Sequence, residues 1–161
     1  MASPPGQTGP IIVGYDGSPK SRHALHRAAA LLAPAPAVVV VVWEPGGAFE
    51  AVEPGIEAAP IDIGGALEVD KAMSDRAQAE AEEGARLARQ LGFDAEGVAV
   101  ADELSVAETL LRVAADRQAA AIVVGTHGHK PVRDLLLGST SRNIVGHADC
   151  PVVVVREPEP T

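Results

Sequence analysis

Residues 121–141 read AIVVGTHGHKPVRDLLLGSTS. The apolar run that ends at Val124 predicts a strand, and a Gly-x-x-Gly turn formed by Gly125 and Gly128 follows it. After nine intervening residues, Gly138-Ser139 stands at the expected start of a helix. Two glycine turns at the ends of strands or the starts of helices let the backbone present converging N–H groups to phosphates. The stretch therefore predicts a nucleotide-binding site.

Short apolar runs rich in β-branched residues alternate with helical patterns along the rest of the chain. Continuous apolar runs of this kind are typical of parallel strands that are covered on both faces. Five such strands separated by helices predict one α/β domain, with a five-stranded parallel sheet flanked by helices. The expected strands are residues 11–13, 38–43, 98–101, 122–124 and 152–155.

The first two helices have recognisable ends. Ser18 is a suitable cap and Pro19 a suitable first residue for helix one, which should end before Pro34. The second helix is expected over residues 70–91, with Gly92 as its stop. The inward face of helix one is predicted to consist of Ala24, Leu25, Ala28, Leu31 and Leu32.

The last two helices are marked by polar residues at their starts. Ser105 and Glu108 have capping-box spacing and begin helix three. Helix four should start at residues 139–141 and run to His147, with its amino terminus directed at the phosphates. The inward face of helix three is predicted to consist of Val106, Leu110, Leu111, Val113 and Ala114.

Composition restricts the class of protein. The chain has 161 residues, of which 47% are hydrophobic, a size that suits one domain. Its net charge of -9 and its four aromatic residues (one Trp, one Tyr and two Phe) disfavour nucleic-acid binding. Cys150 is the only cysteine, so no intrachain disulfide can form, and a reducing cytoplasm is expected. The longest apolar run, residues 35–43, is too short for a membrane span.

Three segments are expected to lie outside the regular fold. Residues 1–9 lack the pattern of a signal peptide and are predicted to be a disordered tail, and residues 158–161 a second tail. Residues 44–69 are rich in proline, glycine and acidic side chains, and are predicted to form a flexible insertion. This insertion is interpreted as a mobile surface loop, with a lid over the ligand crevice as the alternative.

Three segments follow one another along the chain. They are IIVGYDGS at residues 11–18, the two glycine turns, and HADCPVVVVR at residues 147–156. Together they resemble the universal stress protein family, in its ATP-binding branch, over residues 10–157. The resemblance implies a Rossmann-like domain of the adenine nucleotide alpha hydrolase type. It also implies a homodimer that pairs through residues 151–156.

The resemblance assigns a role to each candidate site residue. Asp16 corresponds to an aspartate near the adenosine end of ATP, and the backbone of Val42 to the group that contacts the adenine edge. The remaining matches form two turns, the first for phosphate and ribose and the second for phosphate. The first consists of Gly125, His127 and Gly128, and the second of Gly138, Ser139, Thr140 and Ser141.

The residues alone leave alternatives open for these positions. Asp16 could instead stabilise the turn after the first strand, and the hydroxyl residues 139–141 could cap helix four. His127 and His129 could suggest a metal site, but without a nearby carboxylate or cysteine they are better interpreted as solvent-facing, and no metal ligand is predicted. Lys130 and Arg133 could compensate nucleotide charge.

No catalytic residue is predicted. The sequence has no P-loop, so efficient ATP hydrolysis is not expected, and it has no Gly-x-Ser-x-Gly elbow that would mark a nucleophile. The interpretation favoured is a cytoplasmic, ATP-binding regulator in stress adaptation, with at most slow hydrolysis and with the magnesium requirement open. The alternatives are a stress-protein interaction module that binds no nucleotide, and an ATP-using adenylating enzyme.

Overall fold

A computed structural model describes residues 8–46, 62–126 and 137–157 of the chain. Within these ranges five parallel strands form one sheet, as predicted, and they lie in the order β3-β2-β1-β4-β5. The strands are β1 Ile11–Gly14, β2 Pro36–Trp43, β3 Asp94–Ala101, β4 Ala121–Gly125 and β5 Val152–Val155. The helices are α1 Pro19–Leu32, α2 Ile63–Gln90, α3 Val106–Asp116 and α4 Ser139–His147.

The sheet buries both of its faces. On one face, α1 and α2 pack against alternate strand residues such as Val13, Val39 and Val123. On the other, α3 and α4 pack against the intervening residues, which include Ile12 and Ile122. Because successive strand residues point to opposite faces, a continuous apolar run supplies both cores at once. The prediction of a doubly covered parallel sheet is confirmed.

The start signals of two helices act as predicted. The Ser21 N–H donates to Ser18 Oγ over 3.1 Å at the beginning of α1, where Pro19 is the first residue. The Glu108 N–H donates to Ser105 Oγ over 3.2 Å at the beginning of α3. The Ser105 hydroxyl also donates to the Glu108 carboxylate over 3.1 Å. Each side chain satisfies a backbone donor that has no partner within its helix.

Two of the predicted inward residues are exposed. Leu31 is 68% exposed, because at 3.6 residues per turn it points about 100° away from Leu32, which does pack against the core. Val106 is 37% exposed because it stands at the first residue of α3, beside a cleft described below. The sheet contact of α1 comes mainly from Leu25 and Ala28.

The second helix begins earlier than predicted. It starts at Ile63, whereas the sequence pattern gave residue 70, and the low helix propensity of Gly64 and Gly65 conceals this start. The Asp62 carboxylate caps it by accepting from the Gly65 N–H over 3.0 Å. Residues 63–69 therefore belong to α2, and the predicted flexible insertion is too long at this end. Residues 47–61 of that insertion lie outside the described ranges.

α2 packs unusually closely against β2 and β3. Its buried face is made of small residues, namely Ala77, Ala81, Gly84, Ala85 and Ala88. The backbone of α2 approaches the strand so closely that a Cβ atom at Gly97 would overlap the backbone carbonyl of Ala81. No helix in the described ranges, α2 included, is both long and apolar enough to cross a membrane.

We expect Gly97→Ala to lower the free energy of unfolding by about 1–3 kcal/mol, since α2 must move away from β3 to admit the methyl group. Gly146→Ala is the matched control, because a Cβ atom there has nothing within 4 Å and Gly146 lies in α4. It should stabilise the protein by up to about 1 kcal/mol. Urea denaturation measures both, and equal effects of the two substitutions would contradict the close packing.

Candidate functional site

A cleft of about 320 Å³ opens where the carboxyl ends of β1 and β4 lie side by side. From β1 the chain moves outward to β2 and β3 on one side, and β4 and β5 lie on the other. The order of the strands therefore reverses between β1 and β4, which is the place where open α/β sheets have their ligand crevice. The cleft is lined by Gly14, Tyr15, Asp16, Ser18, Ser21, Val42, Val106, Leu110, Val124, Gly125, Thr140 and Ser141.

The turn between β1 and α1 forms one wall of the cleft. The Ser18 N–H donates to the Asp16 carboxylate over 3.0 Å, so Asp16 stabilises the turn, as one interpretation of the sequence expected. Asp16 also lines the cleft, which keeps it within reach of a ligand. Gly17 has φ of 72°, a left-handed conformation that favours glycine. The turn therefore holds Asp16 in a fixed place.

Tyr15 belongs to the same wall and connects it to α1. Its side chain is only 5% exposed, and its hydroxyl accepts from Arg22 Nε over 3.3 Å. Arg22 also pairs with Glu83 of α2 at 2.5 Å. The hydrogen bond to Tyr15 is the main cause that raises the pKa of Arg22 above its usual value. Arg22 thus keeps its charge and links the turn, α1 and α2.

The start of α4 forms the opposite wall. The Ser141 hydroxyl is buried and donates to the carbonyl oxygen of Gly125 over 2.7 Å, which ties α4 to the end of β4. The Gly138 N–H donates to the carbonyl oxygen of Thr126 over 2.8 Å. Gly138 is the cap residue of α4, and no side chain caps this helix. The N–H groups of its first turn thus face the carboxyl edge of the sheet, where an anion would be favoured.

Apolar residues close the rest of the cleft. Val42 near the end of β2 is half-buried and lines it, and so do Val106 and Leu110 of α3. The role of these two α3 residues was not predicted, since their helical period assigned them to the core. The position of α3 directly after a strand could have indicated it, because such a helix begins at the ligand-binding edge of the sheet.

The structure brings together five of the nine predicted site residues. These are Asp16, Val42, Gly125, Thr140 and Ser141. Gly138 and Ser139 are adjacent in the chain but do not line the cleft, and Ser139 is exposed. His127 and Gly128 lie outside the described residues, as do His129, Lys130 and Arg133. Ser21 and Tyr15 line the cleft without having been predicted.

The described lining carries one carboxylate, that of Asp16, and the hydroxyl groups of Tyr15, Ser18, Ser21, Thr140 and Ser141. Hydroxyls can donate to phosphate oxygens or accept from a sugar hydroxyl. Over the described part of the chain, no group of three or more His, Cys, Asp or Glu side chains could hold a metal ion. Cys150 lies away from the cleft, and burial together with the charge of Asp149 raises the pKa of its thiol.

Comparison with known proteins identifies the family. The model of the universal stress protein family matches residues 8–156, so the chain belongs to that family. A universal stress protein of Thermus aquaticus, encoded in the 3′ region of a sulfhydrylase gene, is 46% identical over 50 residues. That match spans 31% of this chain and 36% of the relative, so it covers about a third of either protein.

Solved structures share the fold over nearly the whole chain. A hypothetical protein whose biochemical function was assigned from its structure has a TM-score of 0.74 at 20% identity, covering 96% of this chain and 99% of its own. A universal stress protein in complex with cAMP has a TM-score of 0.61 at 23% identity, covering 92% and 97%. The Archaeoglobus fulgidus universal stress protein in complex with dAMP has a TM-score of 0.60 at 22% identity, covering 91% and 96%.

We expect Ser141→Ala to destabilise the protein by about 1–3 kcal/mol, because it removes the hydroxyl that bonds to Gly125 in a buried position. Ser139→Ala is the matched control, since Ser139 is exposed and lies two residues earlier on the same helix. Its effect should stay within about 0.5 kcal/mol. Thermal and urea unfolding measure both, and a neutral Ser141→Ala would show that α4 is not held to β4 by this bond.

Proposed function

We propose that the cleft binds an adenine nucleotide, with ATP as the physiological ligand, and that the protein is a cytoplasmic, nucleotide-responsive regulator in stress adaptation. One observation carries the proposal. Asp16, Val42, Gly125 and Thr140 come from four separate segments and line a single cleft at the reversal point of a parallel sheet. Its volume of about 320 Å³ lies in the range of small-molecule sites.

The lining divides into parts that suit the parts of a nucleotide. The apolar side chains of Val42, Val106 and Leu110 can cover the two faces of a base. Asp16 can accept from ribose hydroxyls, and Thr140 with the first turn of α4 can donate to phosphate oxygens. By family resemblance, His127, Gly128, Gly138 and Ser139 complete the phosphate and ribose turns. The cAMP and dAMP complexes of two relatives support an adenine ligand.

We further propose that hydrolysis is slow or absent. The sequence has no P-loop, and the described part of the cleft lining offers hydroxyls and one carboxylate without a cationic side chain that could stabilise charge on a transferring phosphate. Turnover should therefore fall far below about 1 s⁻¹, the lower end of ordinary enzyme rates. Because Asp16 adds negative charge, magnesium is expected to strengthen ATP binding by offsetting the repulsion.

Calorimetric titration of ATP, with and without magnesium, tests the site. We expect the parent protein to bind, and Val106→Trp to lower the affinity at least tenfold because the indole fills the cleft. Val145→Trp is the matched control: Val145 is also an exposed helical valine, 49% exposed, but it does not line the cleft. Equal affinities of the two variants would place the nucleotide elsewhere, and no binding by the parent would favour an interaction module without nucleotide.

We also propose a homodimer that pairs through residues 151–156. β5 is an outermost strand of the sheet, and its four valines are only half-buried. The Ile122 and Thr126 N–H groups donate to the Pro151 and Val155 carbonyls, so the odd-numbered residues of this segment face β4. The backbone groups of Val152 and Val154 consequently point outward, where a second copy can pair with them in an isologous contact.

Val154→Pro tests this dimer without disturbing the bonds between β4 and β5, since the lost N–H points outward. We expect the dimer dissociation constant to rise at least tenfold in sedimentation equilibrium. Val154→Thr keeps the backbone donor and the branched shape, and it should leave the dimer in place. A parent protein that stays monomeric at high concentration, or a proline variant that dimerises as well as the threonine variant, would contradict this pairing.

A further inference from the structure

β3 forms the opposite edge of the sheet, and its outward backbone groups differ from those of β5 in having side-chain partners. The Asp94 and Asp102 N–H groups donate to the carbonyls of Ala35 and Trp43, over 3.0 Å and 2.8 Å, so even-numbered residues face β2. The N–H and C=O groups of one strand residue point to the same side, and those of the next residue to the other. The groups of Ala95, Gly97 and Ala99 therefore point away from the sheet.

Two side chains of α2 bond to these outward groups. Gln78 Nε2 donates to the Gly97 carbonyl over 3.0 Å, and Gln78 Oε1 accepts from the Ala99 N–H over 3.1 Å. Arg89 Nη1 donates to the Ala95 carbonyl over 2.8 Å. Arg89 is in turn held by the carboxylate of Glu82. Three successive outward residues of β3 thus have a side-chain partner.

The carboxamide of Gln78 reproduces the bonds of an added strand. In a parallel pair, one residue donates to a carbonyl of its neighbour strand and accepts from the N–H two residues further along. Gln78 makes this pair of bonds with the Gly97 carbonyl and the Ala99 N–H, so these two backbone groups are not available to an added strand. Gly97 also lets the α2 backbone lie against β3, which keeps Gln78 beside the strand.

The two edges of the sheet therefore differ. Among the residues that the structure describes, no side chain bonds to the outward backbone groups of Val152 and Val154 on β5. A β5-to-β5 contact has two-fold symmetry and stops at two copies, whereas a β5-to-β3 contact is heterologous and repeats from copy to copy into a ring or an open chain. Every copy of the chain carries both a β5 edge and a β3 edge. A second copy is therefore a partner that could make the β5-to-β3 contact if the β3 edge were open.

We propose that Gln78 and Arg89 close the β3 edge to a strand of a second copy, and thereby limit edge pairing between copies to β5. The limit of two copies rests on the proposed β5 dimer, but the closure of β3 does not. The two side chains act by occupying backbone groups, so their removal exposes a strand edge without changing the core.

The test compares Gln78→Ala/Arg89→Ala with Arg86→Ala/Gln90→Ala by sedimentation velocity over a concentration series. Arg86 and Gln90 are exposed residues of the same helix that do not bond to β3, so the second variant is a matched control. We expect the first variant to form species larger than two copies at concentrations where the parent and the control do not. Adding Val154→Pro to it should stop growth beyond two copies.

A folded Gln78→Ala/Arg89→Ala protein with the size distribution of the control would overturn the proposal, as would a parent that itself grows beyond two copies. If the double variant does not fold, Gln78→Met tests the same point, because it keeps the side-chain length and removes the donor and acceptor. A monomeric parent would refute the β5 dimer alone. The closed β3 edge would then still predict new association in the double variant and none in the control.

Discussion

The position of β1 between β2 and β4 is the constraint on which the site depends. Parallel pairing on both sides places the ends of β1 and β4 next to each other, while the sheet continues from β1 to β2 on one side and from β4 to β5 on the other. The crevice between them is a consequence of this topology, not of a particular side chain. The local sequence then decides what the crevice can bind, through Asp16 on one wall and the start of α4 on the other.

Close backbone approach is the second requirement of the fold. Glycine at position 97 brings α2 into contact with β3, and Gly17 allows the turn that carries Asp16. Ser141 holds α4 against the end of β4 and so fixes the helix terminus that faces the cleft. These contacts bear on function because phosphate recognition by backbone N–H groups needs the groups to be in place before the ligand arrives.

Much of the fold could be predicted from the sequence, since apolar runs and capping residues report on local structure. The five strands and the starts of α1 and α3 followed from such signals. The start of α2 could not be predicted in this way, because Gly64 and Gly65 are typical of loops, while tertiary packing and the Asp62 cap extend the helix.

The candidate site could be predicted only in part, for the same reason. Asp16 and the glycine turns stand out because their residue types are unusual in a regular element. Val106 and Leu110 look like ordinary core residues of an amphipathic helix, and only the three-dimensional placement of α3 assigns them to the cleft. The closure of the β3 edge could likewise not be predicted from the sequence. Gln78 and Gly97 are far apart in the chain, and Gln78 is an ordinary polar residue of a long helix.

The proposed function requires that the cleft at the carboxyl edge of the sheet holds the nucleotide. The most direct measurement is the change in backbone amide chemical shifts of isotope-labelled protein as ATP is added to saturation. We expect changes concentrated at residues 14–21, Val42, Gly125 and residues 138–141. The shifts of Gln118 and residues 148–150, which lie away from the cleft, should stay unchanged. Changes confined to that second group, or no changes at saturating ATP, would contradict nucleotide binding in this cleft.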